Sequence, residues 1–464
     1  METITYLNIK VEGVPYTKIL SLHIQNAING YGSAYIEGEI DSEKGNAYVQ
    51  RLTSDTIVKI TTTADGQPPI LFMGVVAGSS VSRETDYTLL KIQLFATAHK
   101  LNYKKKNQSF QNAADTYTKV ITKALDGMAD LQMNVSDKAI GSLIMRYNET
   151  SWEFAQRMAS TFGAPISANV NTEKPLLTVG MPKTGKTYNV SDAKLGFSSE
   201  SQTSYGGTVV TSAQYVYLGD KICVGNKTET VQEYESSLDY GILTTKICLM
   251  SKDNENKIAS GTNDSPVQRP ITNVAASGKM FTGVVQAVQK DKVQVHLTSI
   301  DAEYDAGGTH WFPYSTAYSS SDGSGFYCMP AVGDTVRVFF PSDNEEDAFA
   351  ASSVNVSPLD DPLHKKWRSP AGKEILFTPE GLLISCKDDK IFIDLTDEEG
   401  VKICSEKDIT INAQNNLTLY AKKTLKMQAE NKVLLSSGES YIDMSKDLIE
   451  MGANQVLINR MNRK

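Results

Sequence analysis

A phosphate-binding pattern stands out among the residues that could do chemistry. Residues 180–187 read GMPKTGKT, which matches the P-loop pattern G-x-x-x-x-G-K-[ST] and places Lys186 and Thr187 at its end. In a working P-loop the lysine reaches the β- and γ-phosphates, and the hydroxyl binds Mg²⁺. The pattern therefore raises the hypothesis of a nucleotide hydrolase.

The residues that follow the pattern do not favour this chemistry. A P-loop leads into a helix whose first N–H groups point at the phosphates. Here the next residues are YNVSDAKLGF, which are β-branched or turn-forming, and Pro182 constrains the loop itself. No alternation of strands and helices follows that could build the parallel sheet of such a site. The sequence thus predicts a hairpin loop between two strands at residues 180–187.

Other candidate catalytic or metal-binding sets are weak. The five cysteines and five histidines are scattered without ligand spacing (Cys223, Cys248, Cys328, Cys386, Cys404; His23, His99, His296, His310, His364). No G-x-S-x-G motif occurs, and the acidic runs DDK, DEEG and NEED are typical of solvated turns. We therefore predict no catalytic residue, no cofactor and no metal, and hence not an enzyme.

Composition limits the class of protein. The 464 residues are 40% hydrophobic and 22% charged, as in folded soluble proteins, and the length suits two to four domains. A net charge of −8 argues against a surface for nucleic acid or anionic membrane. The start METITYLNIK has neither the basic residues nor the apolar core of a secretory signal, which favours folding in the cytoplasm.

Residues 1–270 read mainly as strands, with two predicted helices. The first, near 109–126, has an apolar face of Phe110, Ala113, Ala114, Tyr117, Val120, Ile121 and Ala124. The second, near 151–162, starts with a capping box of Thr150 and Glu153. Its predicted core face contains Trp152, Ala155, Ala159 and Phe162, and Phe154 is also expected in the core rather than in a ligand platform. Arg157 lies four residues after Glu153, and this spacing predicts either an ion pair on the helix surface or an intersubunit contact of Arg157.

Residues 271–358 predict a small β-barrel of the OB type. KMFTGVVQAVQKDKVQVHLTSI gives two strands joined at the charged QKDK turn. A turn from Pro330 to Asp334 leads into Val336, Val338 and Phe340, which alternate inward. Nucleic-acid binding by such a barrel needs exposed aromatics among lysines and arginines, whereas this segment offers DAEYDAGG and SDNEEDAF.

Residues 359–464 carry an eight-residue repeat. From Asp408 the octads read DITINAQN, NLTLYAKK, TLKMQAEN and KVLLSSGE, with apolar residues in the second and fourth places (Ile409, Ile411, Leu417, Leu419, Leu425, Met427, Val433, Leu435). Strands with only two inward apolar residues need neighbours that stack on them. They suit a prism shared by several chains, of which three is the natural number. An ordinary antiparallel meander is the alternative.

The order of these modules resembles that of the VgrG family. RYNETSWEFAQRMASTFG is similar to the family's hub motif through Tyr147, Glu149, Ser151, Trp152, Phe154 and Arg157. FTGVVQAV and GFYCMPAVGDTVRVFF resemble its OB domain through Gly283, Phe326, Tyr327, Pro330, Gly333 and Asp334, together with the three inward residues named above. WRSPAGKEILFTPEGLLIS resembles the neck and the octads resemble the needle, so the likeness covers nearly the whole chain.

The resemblance implies a mainly β fold and a structural role in a contractile injection machine, such as a type VI secretion system. It implies a hub of two β-barrel domains per subunit, an OB barrel and an intertwined triple-stranded β-helix in a homotrimer. Such a spike caps the inner tube, contacts baseplate components and meets the target membrane only during puncture. It is assembled in the cytoplasm and exported with the particle.

The resemblance also implies a separate partner at the needle's end. The sequence ends with QVLINRMNRK, so no C-terminal toxin domain is expected, and no His-x-His pair occurs there to hold iron. A PAAR-like tip protein or an effector at the needle end is therefore expected. Alternative hypotheses are a phage-tail baseplate hub and spike, a glycan-binding trimeric adhesin, and the P-loop hydrolase.

Overall fold

The structure is a computed structural model that describes residues 2–41, 48, 50–83, 87–189, 197–198, 208–260, 269–305, 307–355, 357, 359–386, 390–445 and 447–457. The chain divides into two compact units, residues 1–355 and residues 356–464. Strands dominate both units. Within the described ranges, no helix is long and apolar enough to cross a membrane.

A 12-stranded sheet forms most of the first 250 residues. Its strands run in the order β1-β4-β5-β6-β3-β2-β16-β17-β14-β13, with β15 also pairing β16 and β12 pairing β15. The strands are β1 (Ile9–Glu12), β2 (Tyr16–Ala27), β3 (Ser33–Ile40), β4 (Ile57–Thr62), β5 (Ile70–Arg83), β6 (Thr88–Ala96), β12 (Thr187–Asn189), β13 (Phe197–Ser198), β14 (Val209–Ser212), β15 (Lys221–Val224), β16 (Lys227–Asp239) and β17 (Ile242–Met250).

The residue pattern of these strands explains their register. In β3 and β4 every second residue is buried, because side chains alternate between the two faces of a strand. A slip of one residue would turn the whole apolar row to solvent, so the pairing is well specified. The N-terminal segment also bonds β17, since Leu243 N donates to Ile4 O at 2.8 Å and Thr5 bridges Ile242. This contact joins both ends of the run from β1 to β17.

Two small sheets and three α-helices whose bounds are described also belong to the hub. β8 (Asp130–Met133), β10 (Ile166–Ala168) and β11 (Leu176–Val179) form one sheet, and β7 (Lys106–Phe110) pairs β9 (Ile144–Glu149). The α-helices are α1 (Tyr117–Leu125), α2 (Ser151–Ser160) and α3 (Lys252–Ser260), and 3₁₀ turns span Thr97–Asn102 and Glu345–Asp347. Helix α3 was not predicted from the sequence.

Helix α1 is shorter than the predicted helix near 109–126. Phe110 belongs to strand β7 and pairs with Ile144, and a turn follows in which Ala114 N donates to Asn112 Oδ1 at 3.1 Å. The helix begins only after Thr116, whose hydroxyl accepts from Lys119 N at 3.3 Å. The helical periodicity therefore extended too far toward the N-terminus, because an Asx turn and an N-cap interrupt it.

Helix α2 begins as predicted. The Thr150 hydroxyl accepts from Glu153 N at 3.1 Å, and Glu153 Oε2 accepts from Thr150 N at 2.8 Å, which confirms the capping box. Trp152 and Phe154 are buried, as expected of core residues.

Five strands form the barrel between residues 279 and 351. In the order β20-β19-β18-β21-β22 they are β20 (Trp311–Pro313), β19 (Lys292–His296), β18 (Lys279–Gln289), β21 (Thr335–Phe340) and β22 (Phe349–Ala351). The two edge strands meet where Tyr314 bridges Ala350, and Ser315 N donates to Ala350 O at 2.8 Å. Val336, Val338 and Phe340 are fully buried, so their predicted inward alternation is confirmed.

The second unit contains two antiparallel meanders. The first is β23 (Lys365–Arg368), β24 (Glu374–Thr378), β25 (Gly381–Ser385), β26 (Ile391–Thr396) and β27 (Gly400–Ser405), and the second is β28 (Lys432–Ser437), β29 (Ser440–Ser445) and β30 (Leu448–Gly452). The last octad, KVLLSSGE, thus pairs within the chain as part of a meander, which is the arrangement given above as the alternative to a shared prism. Residues 408–431 between the meanders are in no strand.

An eight-residue geometric period marks the octads. Bends or turns recur at 406–407, 414–415, 422–423 and 430–431, and again at 438–439. Between these bends the chain of the first three octads runs without ladder partners in its own chain. The repeat in sequence is therefore also a repeat in backbone direction.

Candidate functional site

Strand β9 serves two hydrophobic cores at once. Leu143, Met145 and Tyr147 pack into the core of the barrel, where the Tyr147 ring meets Phe281 edge-on at 4.9 Å. The alternate residue Ile144 packs into the core of the hub. Because side chains alternate across a strand, one short strand joins the two modules. The barrel core is therefore completed by hub residues that lie far outside its own stretch of sequence.

A buried arginine crosses the same junction. Arg157 is 3% exposed and donates from Nε to Glu149 Oε1 at 2.7 Å and from Nη2 to Glu149 Oε2 at 2.9 Å. Its Nη1 donates to Glu345 Oε1 at 3.0 Å, and its Nη2 also donates to Met145 O at 2.7 Å. Glu345 belongs to the barrel, so a single guanidinium holds a hub strand, a hub helix and the barrel together.

The electrostatics of this group favour a charged arginine between two acceptors. Burial alone lowers the pKa of Arg157, but the hydrogen bonds and charges of Glu149 and Glu345 outweigh it and raise that pKa. Burial raises the pKa of Glu345 above its usual value, against the opposing charge of Arg157. The carboxylate of Glu345 therefore bears a desolvation cost that its partner only partly offsets.

The structure corrects the expected role of Arg157. Its predicted surface pair with Glu153 is absent, because Glu153 turns back to cap its own helix and Arg157 points into the junction. Glu345 belongs to the NEED run, which was expected to be solvated, yet its side chain is 18% exposed. Sequence spacing missed this pair because its members are 188 residues apart. The apolar residues on either side of Arg157 in helix α2 were the available indication that this arginine is buried.

Further polar contacts hold the barrel against the hub. Asn273 Nδ2 donates to Met145 O at 2.7 Å, and Ile271 N donates to Ser160 Oγ at 2.9 Å. On the other side of the junction, Ser109 N donates to Asp301 Oδ1 at 2.7 Å and Ser109 Oγ donates to Asp301 Oδ2 at 2.5 Å. Several hydrogen bonds besides those of Arg157 therefore join the hub to the barrel.

The aromatic residues of the hub motif are packed rather than open to a ligand. The Phe154 ring stacks on Phe110 at 5.4 Å, and the Arg146 and Arg157 guanidiniums lie 5.7 Å and 5.3 Å from its centroid. Trp152 meets Tyr31 edge-on at 5.5 Å. These residues therefore fix the helix that carries Arg157.

The residues of the OB motif have separate structural places. Gly283 lies where a Cβ would come within 2.4 Å of Val295 Cγ1, so only glycine fits this strand crossing. Gly333 has φ +94°, and Asp334 Oδ2 accepts from Ala331 N at 2.8 Å, which confirms the turn chemistry expected after Pro330. Phe326 and Tyr327 are exposed in the long connection before that turn.

The stretch 180–187 does not have P-loop geometry. Strand β12 follows it directly, where a P-loop would continue into a helix. Gly180 N donates to Pro165 O at 2.8 Å, and the Thr184 hydroxyl donates to the buried carboxylate of Asp220. Burial raises the pKa of that carboxyl group. Two of the loop's polar groups, Gly180 N and the Thr184 hydroxyl, are therefore occupied by protein partners.

This loop is also not the hairpin that the sequence predicted. The preceding strand β11 pairs β10 and β8, whereas β12 pairs β15, so the loop crosses from one sheet to another. The described residues also contain no group of three or more His, Cys, Asp or Glu that could hold a metal ion.

The apolar octad residues are exposed on this chain. Their exposed fractions are 56% for Ile409, 67% for Ile411, 56% for Leu417, 61% for Leu419, 57% for Leu425, 53% for Met427 and 43% for Leu435, while Val433 is half-buried. A regular double row of exposed large apolar side chains is unusual in a monomeric soluble protein. The described part of the chain therefore leaves these apolar side chains largely uncovered.

The comparisons with known proteins agree with this architecture. Residues 281–354 match the family model of the type VI secretion system/phage-baseplate injector OB domain. A search of the curated proteins gave no match.

Solved structures share the fold at low sequence identity. The Escherichia coli c3393 protein, described as a type VI secretion component similar to the T4 bacteriophage tail proteins gp27 and gp5, matches with a TM-score of 0.50 and 13% identity, over 75% of this chain and 99% of that one. A Francisella PdpA–VgrG complex, half-lidded, matches with a TM-score of 0.50 and 10% identity, over 85% of this chain and 87% of that one. The chain therefore carries a segment that matches the injector OB domain, within a mainly β fold that it shares with these solved structures.

Proposed function

We propose that this chain assembles as a homotrimer that forms the hub and needle of a contractile injection machine. In this role the hub caps the inner tube and binds baseplate components, and the needle leads through the target envelope. The role is structural and requires no catalytic residue. The particle is assembled in the cytoplasm and exported, and it meets a membrane only during puncture.

The octad rows carry this proposal. Ile409, Leu417 and Leu425 occupy the same place in successive octads, and each has more than half of its side chain exposed on the single chain. Three copies that turn these rows toward a common axis would bury all of them in successive layers. Burying apolar surface contributes about 25 cal/mol per Å², so each layer would stabilise the assembly. A shared prism also leaves few free strand edges at which force could begin to separate the chains.

The first meander of the second unit supports the same arrangement. One of its faces forms an apolar groove of about 630 Å³, lined largely by isoleucines and by Trp367 (Ile375, Ile384, Ile391, Ile393, Ile403, Ile409). Trp367 is 55% exposed and Ile403 is 58% exposed. We infer that a second copy of the chain covers this face, because the groove continues into the first octad at Ile409.

The contacts of Arg157 between the hub and the barrel suit a protein that transmits force from one module to the other. The charged guanidinium of Arg157 binds Glu149 of the hub and Glu345 of the barrel. Separating the two modules would remove one of these partners and leave a buried charge uncompensated. In the proposed machine the hub receives the thrust of the tube and passes it to the barrel. The chain bonds these two modules through side chains as well as through the connecting peptide.

A protein partner at the needle end is part of the proposal. The VgrG of the Francisella structures is solved in complex with another protein, PdpA. We infer by analogy that this spike also carries a partner, either a PAAR-like tip protein or an effector. Co-expression with proteins encoded beside it, followed by co-purification, tests this point.

Mass measurement in solution tests the central claim. Light scattering on the purified chain should give a single species of three times 50.8 kDa. Images of negatively stained particles should show a blunt head with a thin spike. A monodisperse monomer at micromolar concentration contradicts the trimer, and with it the shared needle.

A further inference from the structure

Three polar side chains form a hydrogen-bonded row on the solvent-facing side of strands β2 and β16. Ser237 Oγ lies 2.8 Å from Nδ1 of His23, and the other ring nitrogen of His23, Nε2, lies 2.8 Å from Glu235 Oε1. A hydroxyl beside a base that a third group orients is the arrangement of an activated nucleophile, and it is recognised by geometry rather than by order in the sequence. The row shares no residue with the Arg157 junction.

The register of strands β2 and β16 brings these residues together. Ser237 lies directly opposite His23 in the antiparallel pair, and Glu235 precedes Ser237 by two residues, so all three side chains point to one face. Strand β16 is paired with β2 on one side and with β17 on the other, which fixes the backbone beneath the row. Ser237 and His23 are 214 residues apart, so no local sequence motif indicates this arrangement.

Glu235 determines which nitrogen of His23 can act as a base. A carboxylate only accepts hydrogen bonds, so the neutral imidazole holds its hydrogen on Nε2, which faces Glu235. Nδ1 then carries the lone pair and accepts from the Ser237 hydroxyl. The proton of the serine therefore points at the group that can remove it.

Solvent reaches this row. The side chains of His23 and Glu235 are 40% and 49% exposed, and Ser237 is half-buried. Glu235 also lines a groove of about 490 Å³. This volume is within the range of small-molecule sites, about 300–1,000 Å³. A small molecule can therefore approach the serine from the solvent side of the sheet, with open space beside Glu235.

A hydroxyl on the next strand can stabilise negative charge beside the serine. Thr244 lies directly opposite Ser237 in the pair of β16 with β17, so its side chain is on the same face. Its hydroxyl makes a long bond of 3.5 Å to the backbone oxygen of Ser237. A bond of this length is weak, so the hydroxyl can turn and donate to an oxyanion that forms next to Ser237 Oγ.

We propose that Ser237, His23 and Glu235 form a nucleophilic site that hydrolyses small acyl esters, in addition to the structural role of the chain. His23 Nδ1 takes the Ser237 proton as Oγ bonds to the ester carbonyl carbon, and the Thr244 hydroxyl donates to the resulting oxyanion. The bond to the leaving oxygen then breaks, and this oxygen takes the proton from Nδ1. A water molecule attacks the acyl-serine in the same way, and Ser237 Oγ regains a proton. One ester and one water thus give one acid and one alcohol.

The roles and the substrate class follow from the same geometry. Glu235 touches no reacting atom and is a positioning residue, because it holds the Nε2 hydrogen and offsets the charge of the imidazolium. A single side-chain donor for the oxyanion and an open face suit small esters that have an unhindered carbonyl and a good leaving group.

Hydrolysis of p-nitrophenyl acetate by the full chain tests this site. We expect p-nitrophenolate release that saturates with ester concentration, and an acetyl group on Ser237 in peptides mapped by mass spectrometry. Ser237→Ala and His23→Gln should each lower kcat/KM at least about tenfold. The matched controls should keep the parent rate. They are Ser82→Ala, at a half-buried serine in strand β5 of the same sheet, and His364→Gln, at a histidine that also lies beside a carboxylate, that of Asp361.

Two further variants separate catalysis from a purely structural role. Thr244→Val removes the oxyanion donor at similar volume and should lower kcat at least about tenfold while KM stays within about twofold. Glu235→Leu removes the acceptor of the Nε2 hydrogen, so both tautomers of His23 become populated. The ¹⁵N resonances of the His23 ring should report this change together with a lower kcat.

Three results would each overturn the proposal. They are a rate that rises linearly with ester concentration, acetyl groups on lysines but not on Ser237, and a Ser237→Ala variant as active as the parent chain. Thermal unfolding of each variant distinguishes loss of rate from loss of fold, and the acetyl map of the parent chain needs no variant. The mass of the particle is measured on the same samples. Because one chain supplies every residue of this site, its failure is distinguished from failure of the trimer.

Discussion

Arg157 Nη1 lies 3.0 Å from Glu345 Oε1, and this contact joins a hub helix to the barrel across 188 residues of sequence. The same guanidinium makes a bidentate bond with Glu149. The Arg157 guanidinium donates to four acceptors here, whereas a lysine ammonium has only three donors, all on one nitrogen. This one side chain therefore makes several of the polar contacts that join the hub to the barrel.

We expect Arg157→Met to destabilise the protein by about 3–5 kcal/mol, because it leaves two carboxylates buried without their cation. Denaturant unfolding followed by circular dichroism measures the loss. Limited proteolysis should also cut the connection near Ile271 faster than in the parent chain.

Two controls separate this effect from loss of charge in general. Lys119→Met breaks an exposed pair with Asp115, in which the lysine side chain is 64% exposed, and it should destabilise the protein far less than Arg157→Met does. Glu345→Gln keeps an acceptor for Arg157 while removing a carboxylate whose pKa burial has raised, so it should cost less than Arg157→Met. Equal losses from Arg157→Met and Lys119→Met contradict the proposed role of the junction.

The buried carboxyl group of Asp220 predicts a dependence of stability on pH. Burial raises its pKa above the ordinary value of 3.8, so folding favours the protonated form. Its stabilising contribution is fully present below that value and is lost as pH rises through the folded pKa. Asp220→Asn, which is neutral throughout, should therefore gain stability relative to the parent chain at neutral pH, and this gain should shrink toward about pH 4.

Denaturant unfolding at both pH values measures this difference. Asp322→Asn is the matched control, because a hydrogen bond from Ser324 N lowers the pKa of Asp322 and the effect should have the opposite sign. Parallel stability curves for Asp220→Asn and the parent chain show that the group does not titrate in this window.

Gly219 packs against Pro182 in the loop 180–187, and this contact leads to a third prediction. This residue has φ +86°, and a Cβ on it would lie 2.3 Å from Pro182 O. Gly219→Ala should therefore combine backbone strain of about 1–3 kcal/mol with a clash that displaces the loop. Gly225 has φ +60° and nothing within 4 Å of its Cβ position, so Gly225→Ala should show the strain alone.

Thermal unfolding of both variants measures the extra loss at Gly219. If the two variants melt together, the loop does not pack closely on Gly219. Lys186→Ala should leave the melting temperature unchanged, and neither the parent chain nor this variant should bind ATP.

Local sequence patterns predicted the helices and strands of this fold better than the tertiary contacts between them. The capping box of Thr150 and Glu153 and the inward row of Val336, Val338 and Phe340 could be read directly, because their chemistry involves neighbours in sequence. Arg157 could not be placed, since its partner lies in another module and spacing reports only contacts within one helix. Strand β9 was equally hidden, because two opposite faces that are both buried give no alternation of apolar and polar residues.

The octads are a second case in which the sequence shows the repeating element but not the contacts of its apolar residues. Their period of eight appears in both sequence and backbone, yet most of their apolar side chains are more than half exposed on the single chain. The octad pattern predicted that these apolar residues need neighbours that stack on them, which matches their exposure on the single chain.

Leu419→Asp gives the sharpest test of a shared needle core. In a trimer this change places three carboxylates in one dry layer, where each charge would be unpaired and desolvated. We expect the variant to lose the trimer or to melt well below the parent chain, as measured by light scattering and thermal unfolding. Thr418→Asp makes the same addition of charge one residue earlier, on the opposite face of the extended segment, and should leave the trimer intact. A variant Leu419→Asp with unchanged mass and melting behaviour would show that the octads do not share a core.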